Sequence, residues 1–350
     1  MVGMRDVAKT AGVSISTVSL VVNNTGYVSD DMRAKVEAAM RQLNYIPNEL
    51  ARNLYRNRTN TIGVIMPTIA HPFFATLTAH LQREFAARDL KTLLCSIADA
   101  DKGEGEYVDM LQRHMMDGIV MAAHTEHPGG YWTSIHRPIV AFDRTLGEGV
   151  PAVRSDHEQG GRLIARQLID SGARHVVLVG GPRSQFAEAT TFPTIRYHLT
   201  VERMLADAGI ACDYVEAGIV ADICAHEATA RAIFERYSDV DAIVGSDLVA
   251  SVALQEALRR GISVPRDLQI IAYDGTFMAE TAGMRLTAVR QDFPAVAAAL
   301  ASRMDSQIAA DNGTTSAAAA EGGNAVVANG GQSTSEDIIS VTLIPGETTR

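Results

Sequence analysis

A chain of 350 residues that is 47% hydrophobic has enough apolar material for two or three packed domains, with no uninterrupted apolar run of membrane-spanning length. Cys95, Cys212 and Cys224 lack paired metal spacing and the ten histidines are scattered, which argues against a disulfide scaffold or a zinc module; the cysteines read as buried thiols in a reducing compartment. The net charge of -10 argues against nucleic acid only until its distribution is read: residues 1–60 carry eight Lys or Arg against five Asp or Glu, and the remainder 23 against 36.

A basic head on an acidic body concentrates attraction for phosphate in one module. Within that head, Val7, Ala8 and Ala11 fall on one face of a short helix, Gly12 supplies a turn, and Ser14 can cap a second helix whose inward face is Val18, Val21 and Val22. Two short helices joined by a Gly-bearing turn form a helix-turn-helix, leaving Ile15, Ser16, Thr17, Ser19, Leu20 and Asn23 on the face free to enter a major groove. Ser29 can cap a third helix, where Met32, Val36, Met40 and Leu43 recur at helical spacing and Asp30 and Asp31 suit the positive end. The headpiece thus spans 1–46. Residues 47–60, from Pro47 to Asn60, hold a helix-capable segment too short to be stable alone in water.

From Thr61 the pattern becomes strands alternating with helices. Ile62–Pro67 reads as a buried parallel strand, residues 74–88 as an amphipathic helix, and Lys91–Cys95 as the next strand. Further strands fall at 118–121, 139–142, 175–179, 214–216, 242–244, 269–273 and, last, 338–344. This alternation predicts two doubly wound α/β lobes with a ligand crevice beyond the strand ends. The first lobe is expected at about 61–160 and 291–310 and the second at about 161–290 and 337–350. Residues 311–336, rich in Gly, Ala, Ser, Thr and Asn, read as a flexible insertion.

The string Asp6-Val7-Ala8-x-x-Ala11-Gly12-Val13-Ser14-x-x-Thr17-Val18-Ser19-x-Val21-x-Asn23 resembles the lactose-repressor/galactose-repressor family of bacterial transcription regulators. The likeness continues through Pro72-Phe73-Phe74, Phe142-Asp143-Arg144, Gly172-Ala173-Arg174-His175, Val264-Pro265 and Leu286–Asp292. It implies an all-α helix-turn-helix headpiece followed by two α/β lobes of the periplasmic-binding-protein type. It further implies a cytoplasmic repressor of carbohydrate-utilisation genes that binds double-stranded operator DNA as a homodimer or tetramer, under control of a small sugar. Cofactors, metals and catalytic residues are not expected, and Gly180-Gly181-Pro182-Arg183-Ser184 lacks the Gly-Lys-Ser/Thr ending of a phosphate loop. A sugar-binding receptor or sugar-modifying enzyme with an incidental helical head is the alternative.

Carried over position by position, the resemblance makes Ile15, Ser16 and Leu20 base readers and residues 47–60 a hinge helix whose Leu54 wedges into the minor groove, against the plainer reading of a linker. Leu20 departs from the family's frequent arginine and can touch only a thymine methyl or fill space. Ser14, Thr17, Ser19, Asn23, Tyr27, Ser29, Tyr45 and Asn48 occupy phosphate-contacting positions, with capping an equal alternative for each. The effector positions are Phe73, Phe74, Asp143, Arg196, Ser246, Asp247 and Asp274, with Ile219 as a further apolar cover. Asp247 could instead cap a helix, Asp143 could pair with Arg144, and the two phenylalanines could be core. His71 replaces the family's usual asparagine, and Leu199 the glycine expected three residues after Arg196. A pocket with more acids than bases favours a neutral, hydroxyl-rich ligand.

Overall fold

The computed structural model describes residues 2–47, 53, 58–98, 103–123, 125, 127–186, 191–218, 222–320 and 336–350, and divides into two units, Met1–Thr59 and Asn60–Arg350. The first unit is a three-helix module: α1 (Met4–Ala11), α2 (Ile15–Asn23) and α3 (Asp30–Gln42). Gly12 ends α1 with φ 66°, a left-handed conformation that costs a Cβ-bearing residue energy. Ser14 and Ser29 cap α2 and α3 by accepting from the amides of Thr17 and Met32. Val7, Ala8, Val18, Val21, Val36 and Ala39 meet in one small core. Met32, expected to face inward, is 41% exposed because it sits in the first turn of α3, beyond that core.

The second unit holds two six-stranded sheets. Its elements are β1 (Thr61–Met66), α4 (Pro72–Ala86), β2 (Lys91–Ser96), α5 (Gly105–Gln112), β3 (Gly118–Met121), β4 (Ile139–Phe142), β5 (Ala152–Ser155), α6 (His157–Asp170), β6 (His175–Gly180), α7 (Ile195–Asp207), β7 (Ala211–Glu216) and α8 (Ile223–Arg236). They continue as β8 (Ala242–Ser246), α9 (Asp247–Arg259), β9 (Gln269–Asp274), α10 (Phe277–Thr281), β10 (Thr287–Gln291), α11 (Phe293–Ala320), β11 (Glu336–Ile339) and β12 (Val341–Ile344). The first sheet has the order β11-β5-β4-β3-β1-β2 and is parallel throughout; the second has the order β12-β10-β9-β8-β6-β7, with β12 alone antiparallel. Both sheets are covered on two faces, which is why their strands read as continuous apolar runs.

Three features differ from the sequence reading. The final stretch is two strands in different sheets: Glu336–Ile339 pairs with β5 in the first lobe, and only the part from Val341 belongs to the second. Residues 311–320 continue α11 as helix, while Arg137 donates to Asp311 at 2.8 Å and Arg303 holds Asp337 bidentately, tying the body of the helix and the returning strand to the first lobe; residues 321–335 lie outside the described residues. Of the three free cysteines only Cys95 is buried, and Cys224 is exposed on α8. No helix among the described residues is long and apolar enough to cross a membrane.

The lobes are joined by three closely bonded crossings, at 155–157, 291–293 and 339–341. Asp156 N donates to the Ile339 carbonyl at 2.7 Å, Val341 N to Gln159 Oε1 at 3.0 Å, and Ser155 Oγ to Gln291 Oε1 at 2.6 Å. In α6, Gly160 and Gly161 let the second lobe close up: a Cβ on Gly161 would stand 2.6 Å from the Tyr197 carbonyl oxygen and 2.7 Å from Thr200 Cβ. Gly161→Ala should therefore push α6 and α7 apart and cost about 1–3 kcal/mol, read as a lower urea midpoint at unchanged slope.

Candidate functional site

On the headpiece, Ser14, Ile15 and Ser16 are exposed at the start of α2, with Ile15 at 47%, while Thr17, Ser19 and Leu20 are partly covered. Ser14 is engaged as a cap and its hydroxyl also meets Ser16 Oγ at 2.8 Å and Thr17 Oγ1 at 2.9 Å. Tyr27 stands out at 91% exposed, and Tyr45 and Ser29 are half-buried. Asn23 does not belong to the open face: it is 7% exposed and its amide donates to Ser19 Oγ at 3.2 Å one turn back. Its apparent position on the reading face fails because the chain after α2 folds over that end of the helix, where Asn24 takes a left-handed conformation. Leu20 lies against the same turn, 3.2 Å from where a Cβ on Gly26 would sit. Asn48, Leu54 and Ile219 lie outside the described residues.

In the second unit a cavity of about 440 Å³ opens between the lobes. It is lined by Phe73, Phe74, Asp143, Ser246 and Asp274 among the expected residues, and by His71, Tyr197, His198, Tyr214, His226 and Gln291 among the unexpected ones. The carboxylates are delivered by the ends of parallel strands: Asp143 follows β4 and Asp274 ends β9, both with positive φ, 46° and 137°. Such strained backbone is held by its surroundings. Gly275 permits it, since a Cβ there would lie 2.5 Å from Arg290 Cα.

Each carboxylate is oriented by a buried partner. Asp143 Oδ1 meets His157 Nε2 at 2.9 Å, and His157 Nδ1 meets Tyr273 Oη at 2.6 Å. Asp274 Oδ1 accepts from Gln291 Nε2 at 2.9 Å. Arg144 turns instead to the carbonyls of Ala123 and Thr125 and to the Phe192 ring. Four buried polar atoms of lining residues have no hydrogen-bond partner among the described residues: Asp143 Oδ2, His198 Nδ1 and both ring nitrogens of His226. Buried polar atoms are costly unless satisfied, so these are the groups a ligand would complete.

Electrostatics keep the cavity close to neutral. Burial, then the nearby charge of Asp247, pushes the Asp274 carboxyl well above the carboxylate range. Burial lowers His198 to about 3, with Arg183 and His157 adding to it. His71, whose Nδ1 accepts from the Phe73 amide at the start of α4, is lowered to about 4 by burial and by His226, and His226 is itself lowered by burial. No Lys or Arg lines the cavity among the described residues. The walls are aromatic: Tyr273 stacks on Tyr197 at 3.9 Å and Phe73 on Phe142 at 5.8 Å, and the His198 ring lies 3.8 Å from Tyr197, tilted by 33°. Phe73 and Phe74 are thus both core and lining.

Two expected contacts are corrected. Arg196 does not line the cavity; its Nη1 is paired with Glu158 Oε1 at 2.8 Å. Asp247 is neither lining nor cap: Ser246 caps α9, while Asp247 accepts from the amides of Gly275 and Thr276 and from Thr276 Oγ1. Burial outweighs those donors and raises its pKa to about 6. Of the residues missed, Tyr197 and His198 adjoin Arg196 and Gln291 belongs to the motif at 286–292, but nothing in sequence singles out His157 or His226. Among the described residues no group of three His, Cys, Asp or Glu could hold a metal ion.

A helix-turn-helix module together with a two-lobed α/β unit enclosing a polar-floored, aromatic-walled cleft defines a ligand-responsive DNA-binding regulator. Residues 3–48 match the bacterial regulatory proteins of the lacI family, and residues 59–311 match the periplasmic binding proteins and sugar binding domain of the LacI family. The chain belongs to the LacI family of DNA-binding transcription regulators. It is 33% identical over 294 residues to a sucrose operon repressor of Streptococcus mutans, covering 84% of this chain and 89% of that one. It is 35% identical over 278 residues to the ribose operon repressor of Bacillus subtilis, covering 78% and 82%. Among solved structures, the lac repressor dimer bound to operator and the anti-inducer ONPF shares the fold with a TM-score of 0.78 at 22% identity over 99% of both chains.

The neutral histidines carry a pH consequence. Above the ordinary value of 6.5 the imidazole of His198 is neutral in folded and unfolded chains alike; below it the unfolded chain binds a proton that the folded chain refuses until about pH 3. Stability therefore falls as pH drops below 6.5, while the raised Asp274 carboxyl acts in the opposite sense, favouring the folded state toward acid. His198→Gln should reduce the stability lost between pH 7 and pH 5 by about 2 kcal/mol in chemical denaturation.

Proposed function

We propose that this protein is a cytoplasmic repressor of a carbohydrate-utilisation operon. As a homodimer it binds a two-fold symmetric operator, and it releases that site when a small neutral sugar fills the cleft between its lobes. The carrying observation is the cavity itself: oriented Asp143 and Asp274, four unsatisfied buried polar atoms and aromatic walls, without a lining cation among the described residues. Sugar hydroxyls donate and accept at once, so they suit a carboxylate oxygen and neutral imidazoles, while aromatic rings cover apolar sugar faces. An anionic ligand would find no compensating cation among the described lining residues. Similarity to sucrose and ribose operon repressors supports the same reading.

In this proposal Phe73, Phe74, Asp143, Ser246 and Asp274 contact the effector, joined by His198, His226 and Gln291. Ile15, Ser16 and Leu20 face base edges, with Ser14, Thr17, Ser19, Tyr27, Ser29 and Tyr45 near phosphates. Residues 47–60 form the paired hinge with Leu54 as its wedge. Release requires the sugar to prefer the DNA-incompetent arrangement, by about 5.5 kcal/mol for a near-complete switch.

Footprinting on the DNA upstream of the gene, with and without a panel of neutral sugars, tests the whole reading; absence of a protected symmetric site at moderate salt would refute it. Asp143→Ala should weaken binding of the responsive sugar by about ten- to a hundredfold in calorimetry, the loss typical of a hydrogen bond to a charged group, while leaving operator affinity intact. Leu20→Arg should shift one base pair of a selected operator toward guanine with about 1–3 kcal/mol of discrimination, and an unchanged selected site would remove Leu20 from the reading surface.

A further inference from the structure

The cleft is elongated along the strand ends. In the second sheet the neighbouring strands β10, β9, β8, β6 and β7 each place a lining residue at or just beyond their ends, and in the first sheet β4, β3, β1 and β2 do the same. Neighbouring strands stand about 4.8 Å apart, so the row measures about 19 Å along one wall and about 14 Å along the other. Its polar groups are not spread evenly over that length. Asp143 and Asp274 stand at the ends of β4 and β9, where Asp143 meets His157 and Asp274 meets Gln291, both residues of the crossings between the lobes. The imidazoles stand farther along. His198 Nε2 lies against the end of β6, where a Cβ on Gly180 would be 2.5 Å from it, and its ring meets Tyr214 of β7 edge-on at 5.2 Å. His226 is in the first turn of α8, which follows β7, and it lies close enough to His71, which follows β1 in the first lobe, to lower the pKa of that residue. Only β8 separates β9 from β6, and only β3 separates β4 from β1. In both lobes the acid group and the imidazole group are therefore two strand spacings apart, about 10 Å.

We propose that the cleft is built for two sugar rings, so that the effector is a disaccharide: one ring lies over Asp143 and Asp274 at the junction, and the other is held by His198, His226 and His71 at the far end. The proposal rests on the cleft being a sugar-binding effector site. A single pyranose or furanose ring is about as wide as one strand spacing and does not reach both groups. A ligand that fills one end leaves buried atoms at the other without a partner among the described residues: Asp143 Oδ2 at the acid end, His198 Nδ1 and both ring nitrogens of His226 at the imidazole end. Those atoms favour a molecule long enough to satisfy them all. Burial keeps His198 and His71 neutral, and a neutral imidazole donates through one nitrogen and accepts through the other, which matches a hydroxyl. His71 Nδ1 already accepts from the Phe73 amide, so in its neutral ring Nε2 is the donor.

The test is calorimetric titration of the full-length chain with two panels: the disaccharides sucrose, maltose, lactose, cellobiose, melibiose and trehalose, and the monosaccharides ribose, glucose, fructose and galactose. The best disaccharide should bind with a Kd at least about tenfold below that of the best monosaccharide. His226→Ala and His198→Ala, their folding checked by thermal denaturation, should each weaken that disaccharide by about tenfold and leave the best monosaccharide within about twofold, a split that a general loss of packing would not give. Asp143→Ala should weaken both. If neither histidine variant folds, the comparison of the two panels on the unsubstituted chain decides alone. A monosaccharide that binds as tightly as the best disaccharide, or histidine variants that hold the disaccharide as well as the unsubstituted chain does, overturns the two-ring inference and leaves the sugar reading standing. A chain that binds no member of either panel refutes the sugar reading, and the inference with it.

Discussion

The structure depends on polar groups that had to be buried where one lobe hands the chain to the other. Three crossings within a confined junction bring Ser155, His157 and Gln291 out of contact with water, and each such group must find a partner or cost stability. The partners they find are the cleft's own carboxylates and their supports: Ser155 to Gln291 to Asp274, and Tyr273 to His157 to Asp143. The atoms that join the lobes thus also aim the acids. A ligand that draws on Asp143 or Asp274 pulls on the junction directly, a physical route from occupancy to lobe angle.

Charge is partitioned at two scales. Along the chain, the excess of Lys and Arg is confined to residues 1–60 and the excess of Asp and Glu to the remainder. Within the body, the arginines near the cleft are engaged elsewhere: Arg196 and Arg154 with Glu158, Arg144 with backbone carbonyls, and Arg183 with Glu202. Cation attraction is thereby reserved for the DNA-facing module, and the cleft relies on hydrogen bonds and aromatic faces, which favour hydroxyls over charge.

Much of the cavity lining was legible because it lies where parallel strands end. Asp143, Ser246 and Asp274 stand immediately beyond or at the close of apolar runs, and strand ends point into the crevice whatever the details of packing. Asp247 had the same local signature and went elsewhere, as did Arg196, which follows a loop. Glu158 is brought against Arg196 by the close approach of α6 and α7 at Gly161, and Gly275 and Thr276 present donors to Asp247; neither neighbour is near in sequence. His198 and His226 were hidden for a related reason. Their burial is a tertiary property: His198 packs on Tyr197 and Tyr214, and His226 lies close enough to His71 of the first lobe to lower its pKa.

Local chemistry alone determined the helix-turn-helix, its serine caps and valine core, the alternation of apolar strands with amphipathic helices, and the acids at strand ends. Those features depend on residues a few positions apart, through the left-handed turn at Gly12, the 3.6-residue period and the bounded apolar run. Tertiary structure decided what depends on distant partners: the division of 336–344 between two sheets, the withdrawal of Asn23 and Arg196 from the surfaces they were expected to serve, and the neutral state of the cleft's histidines. Pairing and desolvation are properties of the packed neighbourhood, and residues such as Arg303 and Asp337, 34 apart in sequence, or His157 and Tyr273, 116 apart, become neighbours only once their lobe has folded.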